Sequence, residues 1–131
     1  MKNKDEIQEA THAEFLNRLL KTNYKQYMKC TYNLHNGYEI WMIRFNNKQS
    51  KTGWTNEIEK CGEIITEKYT GNPSDRLLSH KQFPTEKRLV FGIYENVYSQ
   101  RKYVFHGVYS LGLKSNNNCR IWNKISDSYN F

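Results

Sequence analysis

Apolar and polar residues alternate along the last third of the chain, and this period of two predicts three consecutive β-strands. Polar segments at residues 95–102 and 114–118 separate the strands, and the second contains three consecutive asparagines, which tolerate the left-handed backbone of tight turns. We therefore predict a three-stranded meander as the core sheet. The alternating residues are, strand by strand, Leu89, Phe91 and Ile93; Tyr103, Phe105, Gly107, Tyr109 and Leu111; and Cys119, Ile121 and Ile125, with Arg120, Trp122 and Lys124 on the other face of the last strand.

A helical period occurs near the N-terminus. Phe15 and Leu19 are four residues apart, and so are Leu16 and Leu20, so all four lie on one side of a helix. We predict this helix from residue 5 to about residue 21, with acidic residues near its start and basic ones near its end, as the helix dipole favours. The helix would pack on the sheet or, as a sharper alternative, would bind a partner through its apolar side.

The next segment predicts a β-hairpin. Residues 28–34 and 38–45 both alternate, and the turn between them, His35-Asn36-Gly37, contains Asn-Gly, which is the strongest local hairpin signal. Apolar residues on both faces of the second strand predict that it is central in the sheet. One face carries Tyr38, Ile40 and Met42, and the other carries Trp41, Ile43 and Phe45.

Residues 57–69 fit two interpretations. Ile58, Cys61 and Ile65 have helical spacing, but Gly62 interrupts it, so we predict a helix or turn up to Gly62 and a strand after it. Farther along, a short helix is predicted to begin at Ser74, with a loop from residue 80 to residue 87.

The fold class follows from these elements taken together. With 131 residues, the chain has the length of a single domain, residues 1–131. The expected fold is α+β: a curled, mostly antiparallel sheet or small open β-barrel with the N-terminal helix packed on it.

Composition adds an anionic partner to this picture. The net charge is +7, the pI is about 9.3, and aromatic residues make up 15% of the chain. This composition suits nucleic acid, although a merely soluble basic protein would share it. We find no apolar signal-peptide core and no stretch of the roughly 20 apolar residues that a membrane helix requires. Cys30, Cys61 and Cys119 are odd in number and widely spaced, which is typical of reduced thiols in a cytoplasmic protein.

Catalytic and metal-binding signatures are weak. The four histidines form no HxH or HExxH pattern and no CxxC occurs, so neither a metal nor another cofactor is predicted. His106 is a candidate site residue because histidine titrates near neutrality, and a half-buried structural histidine is the competing interpretation. Four glutamates between residues 57 and 67 are typical of a solvated face rather than of a magnesium site. We therefore predict that the chain binds rather than catalyses.

Basic and aromatic residues are interleaved along the chain, and nucleic-acid sites combine cations for phosphates with flat side chains for exposed bases. An amide close to a tryptophan, such as Asn56 near Trp54, suits a base pocket, because the ring stacks and the amide reads the base edge. Core packing is the competing explanation, and we favour it for Trp41. The candidate ligand-binding residues are Trp54, Asn56, Tyr103, His106 and Trp122, and the candidate contacts to the nucleic-acid backbone are Arg44, Lys48, Lys51, Arg101, Lys102, Arg120 and Lys124.

The late strands resemble those of PUA-like small domains, a superfamily that includes EVE, ASCH, YTH and SRA-type modules, some of them fused to bacterial restriction and defence nucleases. The resemblance implies a curled β-barrel with flanking helices and a pocket for a nucleobase, often a modified one. Such modules commonly hold the base in an aromatic cage, for which Trp54 and Trp122 would serve here. The matching segments are Phe91-Gly92-Ile93-Tyr94, Tyr103-Val104-Phe105-His106-Gly107-Val108-Tyr109 and Arg120-Ile121-Trp122.

Three functions stay open on the sequence. The first is a non-catalytic module that binds DNA or RNA as a monomer or homodimer, and it predicts a concave patch that joins Trp54, Asn56 and Trp122 with basic residues. The second is a small protein of phage or mobile-element type that inhibits a host defence protein, with an exposed apolar patch for this protein partner. The third is a minimal enzyme on nucleic acid or a nucleotide, in which His106 or a cysteine would meet acids in a cleft.

Overall fold

The computed structural model describes residues 1–45, 53–69, 87–98, 100–113, 115 and 119–131. The predicted helix at Ser74 and the loop before residue 87 lie outside these residues. The described elements are β1 (Glu6–Gln8), α1 (His12–Leu20), β2 (Thr31–Asn33), β3 (Tyr38–Ile43), β4 (Trp54–Glu59), a 3₁₀ turn (Lys60–Gly62), β5 (Ile64–Tyr69), β6 (Lys87–Glu95), β7 (Arg101–Leu111) and β8 (Cys119–Ser126). Within these residues, no helix is long and apolar enough to cross a membrane.

All the described strands belong to one sheet in the order β2-β3-β6-β7-β8-β5-β4, with β1 paired to β7. Only β3 and β6 are parallel among these described pairs. Trp41 on β3 and Trp122 on β8 are three strand positions apart, roughly 14 Å in a flat sheet. Their ring centroids lie 5.8 Å apart, so the sheet curls and has a concave face. The predicted α+β fold with a curled, mostly antiparallel sheet is confirmed.

Helix α1 covers the other face of the sheet. Phe15 and Leu16 are fully buried there, and the Phe15 ring stacks on Tyr103 with centroids 4.2 Å apart. The helix begins later than the predicted residue 5, because the Thr11 hydroxyl accepts a hydrogen bond from the Glu14 amide and fixes the first turn at His12. The preceding residues instead form β1, whose backbone pairs with β7.

A second core lies on the concave face, and β3 contributes to both cores. Ile40 and Met42 point to the helix side and Trp41 and Ile43 to the concave side, as the apolar residues on both faces predicted. Strand β3 is central, between β2 and β6, and the predicted hairpin at His35-Asn36-Gly37 joins it to β2. The first strand of that hairpin is shorter than predicted and begins only at Thr31.

The ambiguous residues 57–69 are mostly extended. The predicted strand after Gly62 is confirmed as β5. Of the predicted helix or turn before it, the last three residues form a 3₁₀ turn, whereas residues 57–59 belong to strand β4. Cys61 and Gly62 both have positive φ, of 57° and 89°, and this reversal joins two paired strands. The helical spacing was misleading because Trp54, Asn56 and Ile58 alternate on β4 with a period of two.

Strand β7 changes its pattern at Gly107, where φ is +129°. Val90 pairs with Gly107 and the next residue, Phe91, pairs with Phe105, so β7 contains one extra residue in a β-bulge. The alternation predicted that Tyr103, Phe105 and Tyr109 share one face of the strand, and this is wrong because of the bulge. Tyr103 and Phe105 face the helix, whereas Tyr109 faces the concave side.

Candidate functional site

The concave face of β4, β5 and β8 carries a row of polar side chains. Asn56 on β4 pairs in register with Glu67 on β5, which pairs with Arg120 on β8. Trp54 lies two residues before Asn56 on β4, and Trp122 lies two residues after Arg120 on β8, so each is on the same strand face as its neighbour. The fold thus brings together the patch that the sequence predicted, and residues from β3 and β6 complete it. We call the following set the concave cluster: Trp41, Trp54, Asn56, Glu67, Arg88, Arg120 and Trp122.

Glu67 is the centre of this cluster and is only 8% exposed. Its carboxylate accepts a hydrogen bond from the Trp122 indole N–H at 3.3 Å and from Arg120 Nη1 at 3.5 Å. Arg88 reaches it across the concave face, with Nη1 3.5 Å from the Glu67 oxygen, while Arg88 Nε donates to Glu39 at 2.9 Å. Buried charges need such pairing, so the cluster holds its carboxylate in one position.

The tryptophan rings of the cluster differ in accessibility. Trp41 and Trp122 are almost completely buried, and the Arg88 guanidinium lies over both rings, 4.4 and 4.5 Å from their centroids. Trp54 is partly exposed, with the Arg120 guanidinium 4.8 Å from its ring centroid. Trp54 is therefore the most exposed of the three rings, whereas Trp122 acts on the cluster through its hydrogen bond to Glu67.

On Asn56 and on Arg88, one buried polar atom each makes no hydrogen bond within the described part of the chain. They are the Asn56 side-chain oxygen, an acceptor, and Arg88 Nη1, a donor. Leaving such an atom unsatisfied costs about 1–3 kcal/mol, so a ligand that supplies the missing partners gains free energy. Both atoms belong to residues next to Glu67: Asn56 is its partner in the sheet, and Arg88 is its ion-pair partner.

The two other predicted ligand-binding residues are not part of this cluster. Tyr103 lies in the helix-side core, where its hydroxyl is 2.7 Å from His12 Nδ1. His106 lies on the concave side of β7, where its Nε2 is 2.9 Å from the Tyr94 hydroxyl and its ring contacts Phe45. Burial, with a smaller contribution from the positive charge of Lys124, lowers the pKa of His106 to about 4, so it is neutral near pH 7.

The predicted cations for the nucleic-acid backbone have acidic partners wherever the structure describes them. Arg44 and Arg101 share Glu95, and Arg120 pairs with Glu67. Lys48 and Lys51 lie outside the described residues. The remaining pairs are Lys102 with Glu6 at 3.4 Å and Lys124 with Asp127 at 3.1 Å.

Sequence reasoning missed Glu67 and Arg88, although a signal for both exists. Each occupies an inward position of an alternating strand, Glu67 two residues after Ile65 and Arg88 two residues before Val90. A charged residue on a buried face needs partners, and this is a sign of a built site. Elsewhere in the described ranges, no three His, Cys, Asp or Glu side chains converge to hold a metal ion, and Cys30, Cys61 and Cys119 are free thiols.

Comparisons with known proteins agree with this geometry. The family model "SET and RING associated domain", SRA, matches residues 1–131. A similar solved structure is "The 5-Hydroxymethylcytosine-Specific Restriction Enzyme AbaSI", with a TM-score of 0.67 and 24% sequence identity over 92% of this chain and 39% of that one. The chain thus spans about two fifths of that enzyme's length, and the likeness concerns the fold. No curated protein matches the chain in sequence.

The family match supports the first of the three open interpretations. SRA is one of the PUA-like families that the late strands resemble, and its model covers the whole chain rather than the late strands alone. The prediction of a nucleic-acid-binding module that reads a modified base is therefore confirmed at the level of the family. The chain belongs to the SRA family of PUA-like domains.

Proposed function

We propose that this chain binds DNA that contains 5-hydroxymethylcytosine and holds that base, flipped out of the duplex, against the concave cluster. The choice of base is suggested by the restriction enzyme of similar fold, whose name gives 5-hydroxymethylcytosine as its target. The observation that carries the proposal is the group of Asn56, Glu67 and Arg88, whose donors and acceptors complement the edge of cytosine.

Cytosine presents, in order along its edge, the 5-substituent, the amino group and the ring nitrogen N3. Glu67 would accept from the amino group, the usual pairing of a carboxylate with cytosine. Arg88 Nη1, 3.5 Å from Glu67, would donate to N3, which is next to the amino group. The unsatisfied oxygen of Asn56, beside Glu67 on β4, would accept from the hydroxymethyl group. The base would stack on Trp54.

This assignment also explains which bases would be rejected. Thymine carries a carbonyl oxygen where cytosine carries its amino group, so it would face the Glu67 carboxylate with a second acceptor. 5-Methylcytosine lacks the hydroxyl and would leave the Asn56 oxygen unsatisfied. Loss of a donor that a buried acceptor expects is a strong source of discrimination.

The test is equilibrium binding to duplexes that carry one central cytosine, 5-methylcytosine or 5-hydroxymethylcytosine. The wild type is expected to prefer the hydroxymethylated duplex, and Asn56→Ala is expected to reduce that preference roughly fivefold, the equivalent of about 1 kcal/mol. Asn123→Ala is the matched control, because Asn123 is an exposed asparagine on β8. Equal binding of the three duplexes by the wild type would refute the choice of base. An unchanged preference in Asn56→Ala would refute the role of Asn56.

We also propose that the protein works in the cytoplasm. Its three free thiols support a reducing compartment.

A further inference from the structure

In the described ranges, the basic side chains that form ion pairs have their charge neutralised by an acid. Cations without an acidic partner are therefore the better candidates for binding phosphate. Several exposed lysines have no acidic partner among the described residues, and three of them, Lys21, Lys25 and Lys29, are grouped in one stretch of the chain. They are four residues apart and belong to one segment between α1 and β2. The sequence contains no acidic residue between Glu14 and Glu39, so the positive charge of this segment is uncompensated.

Three tyrosines lie within and beside the same segment. The ring centroids of Tyr24, Tyr27 and Tyr32 are 5.3 to 6.0 Å from one another. Tyr24 is 38% exposed, and its hydroxyl lies 3.4 Å from that of Tyr32. Tyr27 and Tyr32 also pack on the helix-side core, so the positions of these rings are fixed.

Residues 21–30 have no regular secondary structure, yet hydrogen bonds from Asn17 on α1 hold Thr22 and Tyr24 in place. The Asn17 amide donates to the Tyr24 carbonyl at 2.8 Å, and its oxygen accepts from the Tyr24 N–H at 2.8 Å and from the Thr22 hydroxyl at 2.8 Å. The Tyr27 hydroxyl donates to the Thr31 carbonyl at 2.6 Å. A surface that is ordered in advance loses little entropy when it binds.

We propose that residues 21–32, the lysine–tyrosine segment, are a second nucleic-acid contact, which binds the sugar-phosphate backbone of duplex DNA outside the concave cluster. The lysine ammonium groups meet phosphates, and the paired hydroxyls of Tyr24 and Tyr32 donate to phosphate oxygens. The contact gives affinity and salt dependence but does not distinguish bases. The proposal rests on the proposed function only for the identity of the polyanion as DNA.

The test compares the triple variant Lys21→Gln, Lys25→Gln, Lys29→Gln with the wild type on an unmodified duplex over a salt series. The slope of log Kd against log salt concentration is expected to become shallower by roughly 2.7, since each neutralised phosphate contributes about 0.9. Affinity at low salt is expected to fall at least roughly tenfold. The matched control, Lys2→Gln, Lys4→Gln, Lys68→Gln, removes the same charge from three other exposed lysines.

A slope that stays the same, or falls as much in the control, would overturn the proposal. Thermal unfolding of both variants checks that they fold. Tyr24→Phe gives a second measurement, because it removes one hydroxyl and keeps the ring; a several-fold loss of duplex affinity is expected. Loss of binding to polyglutamate with unchanged DNA binding would mean that the segment binds an acidic protein, which also contradicts the proposal.

Failure of this inference can be told apart from failure of the proposed function. The lysine–tyrosine segment determines the affinity for any duplex, whereas the concave cluster determines the ratio of affinities for modified and unmodified cytosine. A wild type that lacks the hydroxymethyl preference, but whose salt slope depends on the three lysines, would refute the base assignment alone. The opposite result would refute the segment alone.

Discussion

At the scale of single residues, the concave cluster depends on where Glu67 is held. The carboxylate is nearly buried, and it accepts hydrogen bonds from Arg120 and from the neutral indole N–H of Trp122. A tryptophan that only filled space would be exchangeable for phenylalanine at the cost of volume. Trp122 also positions a carboxylate, so its substitution has two separable consequences.

We expect Trp122→Phe to lower the free energy of unfolding by about 2 kcal/mol, because Glu67 loses a hydrogen bond to a charged acceptor. The same change is expected to reduce the preference for 5-hydroxymethylcytosine more than the affinity for an unmodified duplex. Urea unfolding measures the first effect and duplex binding the second.

Trp41→Phe is the control for ring size, because Trp41 is equally buried and its indole donates no hydrogen bond to any described residue. If both variants changed the base preference to the same extent, packing alone would explain the role of Trp122, and its hydrogen bond to Glu67 would not matter.

At the scale of elements, the bulge in β7 determines which side chains reach the concave face. Gly107 has a φ of +129°, and a Cβ there would lie 2.6 Å from the Ser126 carbonyl oxygen on β8. Without the extra residue, Tyr109 would face the helix side. Strand β8 would then no longer have the Tyr109 side chain beside it on the concave side. The bulge therefore joins the helix-side core and the concave core within one strand.

We expect Gly107→Ala to destabilise the fold by about 3 kcal/mol or more, since it combines an unfavourable backbone angle with a clash against backbone. Gly37→Ala is the matched comparison: its φ is +86°, but a Cβ there would meet no atom within 4 Å. It is expected to cost only about 1 kcal/mol. Urea unfolding of the two variants measures the difference, and equal losses would show that the close approach to β8 has no energetic effect.

The elements that the sequence predicted well are those whose pattern is local. Alternation identified β3, β6 and β8, and the Asn-Gly turn identified the hairpin. The errors concern pairings between distant residues: β1 is a strand only because β7 lies beside it, and the register shift at Gly107 depends on two neighbouring strands. No local pattern contains that information.

The candidate site divides in the same way. Trp54, Asn56 and Trp122 were predicted as a group because a tryptophan near an amide is a local signal. Glu67 and Arg88 were missed because they meet only when the sheet curls and brings β6 across to β5. Their ligand roles, like that of His106, stay predictions.

At the scale of the whole molecule, the two proposed surfaces involve different elements, since Asn56 is on β4 and the lysine–tyrosine segment leads into β2. They share no described hydrogen bond or ion pair. Residues that share no partner usually contribute additively to binding, within about 0.5 kcal/mol. The lysine–tyrosine segment would thus determine the affinity for DNA, and the concave cluster would determine the preference among bases.

Additivity can be tested by combining Asn56→Ala with the three Lys→Gln substitutions at positions 21, 25 and 29 in one protein. We expect the increase in log Kd for the hydroxymethylated duplex to equal the sum of the two separate increases, so that the measured and additive Kd values agree within a factor of about two. The salt slope should match that of the lysine variant, and the base preference that of Asn56→Ala. A combined loss well below the sum would mean that the surfaces act as one, for example because backbone binding at the segment is what admits the base to the concave cluster.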